Sequence, residues 1–133
     1  MNPTRVLVLS VPLALFALSG CEATPKQQGS QSQLTATYKM GALSAVVPAK
    51  VPAVMAAAEQ TLRDRGYAIE SSASTTEQGG IIARPPAYNL GKTMKIDVAS
   101  TATDETTITL STNPWDETLL RITLDRILAR LGM

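Results

Sequence analysis

In the segment TMKIDVAS, residues 93–100, Met94, Ile96 and Val98 alternate with Lys95, Asp97 and Ala99. A strict period of two sends successive side chains to opposite sides of a pleated strand, so this stretch has one apolar and one polar face. Such a strand must bury its apolar side, which requires neighbouring strands and a covering layer. Other segments supply the neighbours. Leu43, Ala45 and Val47 alternate with Ala42, Ser44 and Val46 up to Pro48. Tyr67, Ile69, Ser71 and Ala73 alternate with Ala68, Glu70, Ser72 and Ser74. The run IIAR, 81–84, reads as a short strand stopped by Pro85 and Pro86. The TEQGG that precedes it, 76–80, reads as a turn. TATDET supplies another turn, and TTITLST, 106–112, a last strand with Ile108 and Leu110 on the buried side.

The covering layer is written at a different period. In KVPAVMAAAEQTLRDRG, Val51, Val54, Met55, Ala58 and Leu62 recur at spacings of three and four, one apolar stripe of a helix from about Lys50 to Arg65. Pro52 falls in the first turn, where a missing N–H costs little, and Gly66 sits where a left-handed terminating residue belongs. A second helix is expected from Asn113 as N-cap and Pro114 as first helical residue, with Asp116 and Glu117 in its first turn. Leu120, Leu124, Ile127, Leu128 and Leu131 form its apolar face, and Arg126 and Arg130 suit its carboxyl end. The order β-α-β-β-β-β-α predicts an α+β domain, an antiparallel sheet with two helices on one face. The other face would carry Glu70, Ser72, Arg84, Lys95, Asp97, Thr107 and Thr109 to solvent.

This order resembles the TATA-binding-protein-like or helix-grip arrangement, also used by lipoprotein domains of the outer-membrane β-barrel assembly machinery. The stretch VPAKVPAVMAAAEQTLRDRGY, the Gly pair before a strand and the capped last helix look more closely like an uncharacterised family of small bacterial lipoproteins, a domain of unknown function. The likeness spans about residues 40 to 131. It implies a fold and a location, and no activity.

The amino-terminal region has its own logic. Val6 to Leu18 is a run of thirteen residues without a charge, following Arg5. A membrane span needs roughly 20 apolar residues, whereas a run of this length fits the apolar region of a secretory signal peptide. It ends in Leu18-Ser19-Gly20-Cys21, which resembles the lipobox of bacterial lipoproteins. The resemblance implies cleavage after residue 20 and lipidation of Cys21, leaving a membrane anchor of several acyl chains. A single chain holds only marginally, and several hold stably. The alternatives are a secreted protein with a free thiol and an uncleaved apolar anchor. Glu22 stands where an aspartate would mark inner-membrane retention in the family, which favours the outer membrane, facing the periplasm. Residues 22–37, rich in Gln, Ser, Thr and Gly, lack the apolar surface to offset ordering and read as a flexible tether. The expected organisation is a signal peptide over 1–20, lipidated cysteine and tether over 21–37, and one domain over 38–133.

Composition narrows the chemistry. The chain has 12 basic and 11 acidic side chains, and loss of Arg5 with the signal leaves a neutral mature protein. Neutrality argues against nucleic acid as a partner. Histidine is absent and the single cysteine is the one at the anchor. The usual metal-ligand sets and nucleophile triads are therefore missing, and no catalytic, metal or cofactor residue is singled out. Asp116 and Glu117 are accounted for as helix N-terminal charges, with Glu117 and Arg121 an i,i+4 pair.

Three residues stand out as possible partner contacts. Tyr88 and Leu90 lie in the loop RPPAYNLGK, 84–92, where they either fold back onto the sheet edge or reach a partner. Trp115 either closes one end of a small core or anchors an interface. The chain thus reads as a non-catalytic envelope lipoprotein that docks a protein or other envelope component. The alternative is a carrier of a small apolar ligand between the sheet and the last helix. In the first reading, Cys21→Ala leaves an unprocessed or soluble species whose domain still folds. Detergent-phase partitioning is the measurement, and unchanged partitioning of an unlipidated mature form would contradict the anchor.

Overall fold

The computed structural model describes residues 34–86 and 92–133. Cys21, Tyr88 and Leu90 lie outside these residues. Six strands, β1 (Ala36–Lys39), β2 (Ala42–Val47), β3 (Ala68–Ser74), β4 (Gln78–Arg84), β5 (Thr93–Ala102) and β6 (Glu105–Asn113), and two helices, α1 (Val51–Asp64) and α2 (Glu117–Arg130), make an α+β fold. The strands form one antiparallel sheet in the order β1-β2-β6-β5-β4-β3.

Alternation is realised as the sequence predicts. Leu43, Ala45 and Val47 of β2, Ile81 and Ala83 of β4, Met94, Ile96 and Val98 of β5, and Ile108 and Leu110 of β6 are all buried on one side. Against that side α1 presents Val51, Val54, Met55, Ala58 and Leu62, and α2 presents Leu120, Leu124 and Ile127. Helix α1 lies over β3 to β6, α2 over β2 and β6, and the helices touch each other. Full burial of a Leu, Ile or Met side chain contributes about 1.5–3 kcal/mol. Among the described residues the buried polar groups are all threonines, and each hydroxyl is hydrogen-bonded. Thr61 donates to the Ala57 carbonyl, Thr106 to that of Ala49 and Thr123 to that of Leu119, while Thr112 accepts from the Asp116 N–H.

Helix α1 starts after Lys50, whose side chain makes no capping hydrogen bond. It ends as Gly66 predicts. With Gly66 at φ +83°, the Gly66 N–H reaches the Arg63 carbonyl and the Tyr67 N–H that of Leu62. This pair of bonds is the Schellman arrangement, and buried Tyr67 supplies its apolar contact.

Four local features differ from the expectations. Strand β1 begins at Ala36, two residues inside the expected tether of 22–37, because Ala36 is already half-buried and paired with Ala45. The two-residue connection Met40-Gly41 has positive φ at both positions, as a tight hairpin requires. Helix α2 begins at Glu117 rather than Pro114, because β6 runs on to Asn113, paired with Thr93, and Asp116 is the N-cap. Gly79 and Gly80 are strand residues and not a turn. A methyl at Gly79 would lie 2.8 Å from the Met55 sulfur, so glycine there lets α1 settle onto the sheet.

The fourth is a register shift in β3. Ile69 pairs with Ala83, but Ser71 pairs with Ile82, leaving Glu70 as an extra residue. The shift reverses the faces beyond it. Ser72 therefore turns to the helix side, where its hydroxyl donates to Glu59 of α1, and does not join the polar face. In β5 the faces are as expected, so Ile96→Ala should destabilise by roughly 2–5 kcal/mol and Lys95→Ala hardly at all. Chemical denaturation checks this, and a larger loss for Lys95 would mean that the strand is turned over.

Candidate functional site

The sheet face turned away from the helices carries short side chains: Ala42 and Ser44 on β2, Thr107, Thr109 and Ser111 on β6, Ala99 on β5 and Gly80 on β4. Two longer charged groups, Lys95 and Asp97, pair with each other at 3.4 Å, two positions apart along β5. Ser44 and Thr109 are hydrogen-bonded across β2 and β6 at 3.2 Å. Arg84 forms an ion pair with Glu70 at the β3 side. No layer covers this face among the described residues.

One end of this face gathers the β1–β2 turn, the end of β4, the start of β5 and the end of β6. Trp115 lies there, in the short link between β6 and α2. Its five-membered ring rests on Gly41, where a methyl group would come within 2.5 Å of Nε1 and Cε2. Glycine at this turn thus serves the positive φ and the seat of the indole together. The tryptophan is 70% exposed, so it does not close the core. Met40, 84% exposed, and Ile82, 38% exposed, stand at the same end. Beside them is an open hollow of about 530 Å³, bordered also by Thr93, Lys95, Ser111 and Asn113. A second hollow of about 540 Å³ continues along the same face over Gly80, Asp97, Ala99, Thr107 and Thr109.

The link that carries Trp115 is pinned on both sides. Asp116 accepts from the Leu119 N–H at 3.0 Å as the cap of α2, and its own N–H donates to Thr112 Oγ1 at 3.1 Å. Lys92 Nζ reaches Asp116 Oδ2 at 2.8 Å. That ion pair places the exit of the 84–92 loop beside Trp115. The structure therefore brings the loop's described flank and Trp115 to one end of the sheet. Lys92, followed by the Leu119 N–H, holds the Asp116 carboxyl below its ordinary value of 3.8. Glu117 and Arg121 form the expected i,i+4 pair at 2.7 Å.

The glycine pair and Met40 were not legible as site residues. The only available sign was that Gly-Gly adjoins an apolar run, a pattern that serves a turn equally well. Among the described residues no group of three or more His, Cys, Asp or Glu side chains is placed to hold a metal ion. No helix among them is long and apolar enough to cross a membrane.

A family model matches residues 5–112, and its description is a protein of unknown function, DUF3568. The chain belongs to this family. The match covers the N-terminal region and the domain as far as Thr112 in β6, so DUF3568 takes in the sheet and α1, and Trp115 and α2 follow it. Comparison with curated proteins finds no match.

Asp116→Ala removes both the cap and the tie to Lys92, and should lower stability. Because the folded carboxyl titrates below its ordinary value, its contribution is complete above 3.8. It shrinks as the pH falls below that value and vanishes below the lowered one. Denaturation of wild type and variant should show a constant gap from neutral pH down to the ordinary carboxylate range, closing only in stronger acid.

Proposed function

We propose that this protein is a lipid-anchored, non-catalytic module of the bacterial cell envelope that presents the uncovered face of its sheet to a partner. The observation that carries the reading is Trp115, exposed yet seated on Gly41, at one end of a face made of short side chains. A large, ordered aromatic group beside a hollow is the usual form of an interface anchor.

The direction of the chain supports display. Strand β1 begins at Ala36, opposite Ala45, and runs toward Met40 and Trp115. Ala45 lies opposite Ile108, and Ile108 opposite Val98, so β1 starts level with the middle of β5, several residues back from the tryptophan end. A lipid on Cys21, with the polar tether after it, would hold the domain roughly 20–25 Å from its attachment. From the level of Ala36, which is that of Val98, the Trp115 end lies about 16 Å further along β5, at ~3.3 Å per residue. The LSGC motif and Glu22 support an outer-membrane position facing the periplasm. The carrier alternative has less support, since Leu120, Leu124 and Ile127 are buried where a ligand would lie between sheet and α2.

Affinity capture with the lipidated protein, from solubilised envelopes after cross-linking, tests this reading. Trp115→Ala, and separately Tyr88→Ala with Leu90→Ala, should each abolish the cross-linked partner while leaving the melting temperature nearly unchanged. Capture that survives both variants would contradict display by this end of the sheet.

A further inference from the structure

The two hollows on the uncovered face adjoin each other. Ile82 and Gly80 are alternate residues of β4, Lys95 and Asp97 of β5, and Ser111 and Thr109 of β6, so each strand passes from the first hollow to the second without a change of face. Together they make a trough from Trp115 toward Ala99, about 20 Å along β5 at ~3.3 Å per residue. Its floor is kept low by Gly80, where a methyl would meet Asp97 Oδ1 at 3.3 Å and little else.

Three properties of the trough select its occupant. Strands β4, β5 and β6 are each paired on both sides, so their main-chain groups are taken and an extended peptide would gain no added ladder here. Lys95 is matched by Asp97, so the trough offers no net charge to a phosphate or a polyanion. The remaining polar side chains are hydroxyls, Thr93, Ser111, Thr107 and Thr109 among them, and two amides, Asn113 and Gln78, each able to donate and accept. A ligand suited to this set is uncharged, rich in hydroxyl groups and flat enough on one side to lie on an indole. A pyranose ring meets these requirements, because its axial C–H groups form an apolar patch ringed by hydroxyls.

Building on the display reading above, we infer that the uncovered sheet face is an oligosaccharide-binding trough with Trp115 as its stacking platform. The length of the trough calls for several sugar units, the first on Trp115 and later ones over Gly80. Binding is therefore graded by chain length. The second hollow contributes only when the ligand is long enough to reach it.

Trp115 is the only tryptophan in the chain, so its emission reports on the site directly. The detergent-solubilised lipidated protein is titrated with cellobiose and cellohexaose, maltose and maltohexaose, and chitobiose and chitohexaose. The expected result is a saturable blue shift with at least one series, the hexasaccharide binding at least about tenfold more tightly than its disaccharide, a difference easily resolved by titration. Gly80→Val, which fills the second hollow on a solvent-facing position, should bring the hexasaccharide to the disaccharide's affinity. Trp115→Ala, followed by calorimetry, should remove binding of both. No saturable response to any of these sugars from a folded protein would overturn the inference. So would equal affinity for long and short sugars, or binding that survives Trp115→Ala. If cross-linked capture still depends on Trp115 while every sugar fails, the display reading stands and the occupant is not a saccharide.

Discussion

Contact between the apolar side of the sheet and two helices decides the rest of the molecule. Ile96, Ile108 and Leu110, at the centre of that side, are fully buried, and they are covered only because α1 and α2 lie together across it. Both helices are spent on one side, so among the described residues the opposite side is left without a layer. The requirement that makes the domain fold therefore also creates an uncovered face. On that face Gly80, Ala42, Ala99 and a row of Ser and Thr hydroxyls lie beside Val46, Ile82 and the Lys95–Asp97 pair. Gly79 and Gly80 serve the two sides in turn, the first admitting Met55 of α1 and the second lowering the floor of the trough.

Much of this architecture was legible because it rests on periodicity. Met94, Ile96 and Val98 announce a half-buried strand, and the spacing of Val51, Val54, Met55, Ala58 and Leu62 announces a helix whose end Gly66 marks. Less was legible where a local signal had two physical meanings. Asn113 and Asp116 are both good caps, and the choice fell to Asp116 because Thr93 draws Asn113 into β6. Gly-Gly suits a turn as well as a close approach, and the approaching atom, the Met55 sulfur, comes from a distant part of the chain. The bulge at Glu70 leaves no mark in the alternation of β3, whose inward positions beyond it are serines. Trp115 followed the same pattern. Its exposure depends on Gly41, 74 positions earlier in the sequence, and no local rule connects the two.

The functional reading inherits this division. The proposed anchoring rests on the LSGC motif and the charge-free run before it, and the uncovered face rests on tertiary structure. They meet in the direction of β1, which runs from the level of Val98, in the middle of β5, toward the Met40 and Trp115 end. The Lys92–Asp116 pair adds the loop's exit to the Trp115 end.

The central claim is that the uncovered face is occupied in the envelope. Because the chain's only cysteine is the proposed lipidation site, single new thiols can be placed at Ser111 or Thr109 on this face and at Ile122 on the exposed side of α2. Their rates of modification by a small maleimide are then compared in the purified protein and in intact envelopes. The account predicts that Ser111→Cys and Thr109→Cys react readily when purified and are protected in envelopes, while Ile122→Cys reacts equally in both. Equal reactivity of all three in the two settings would contradict it.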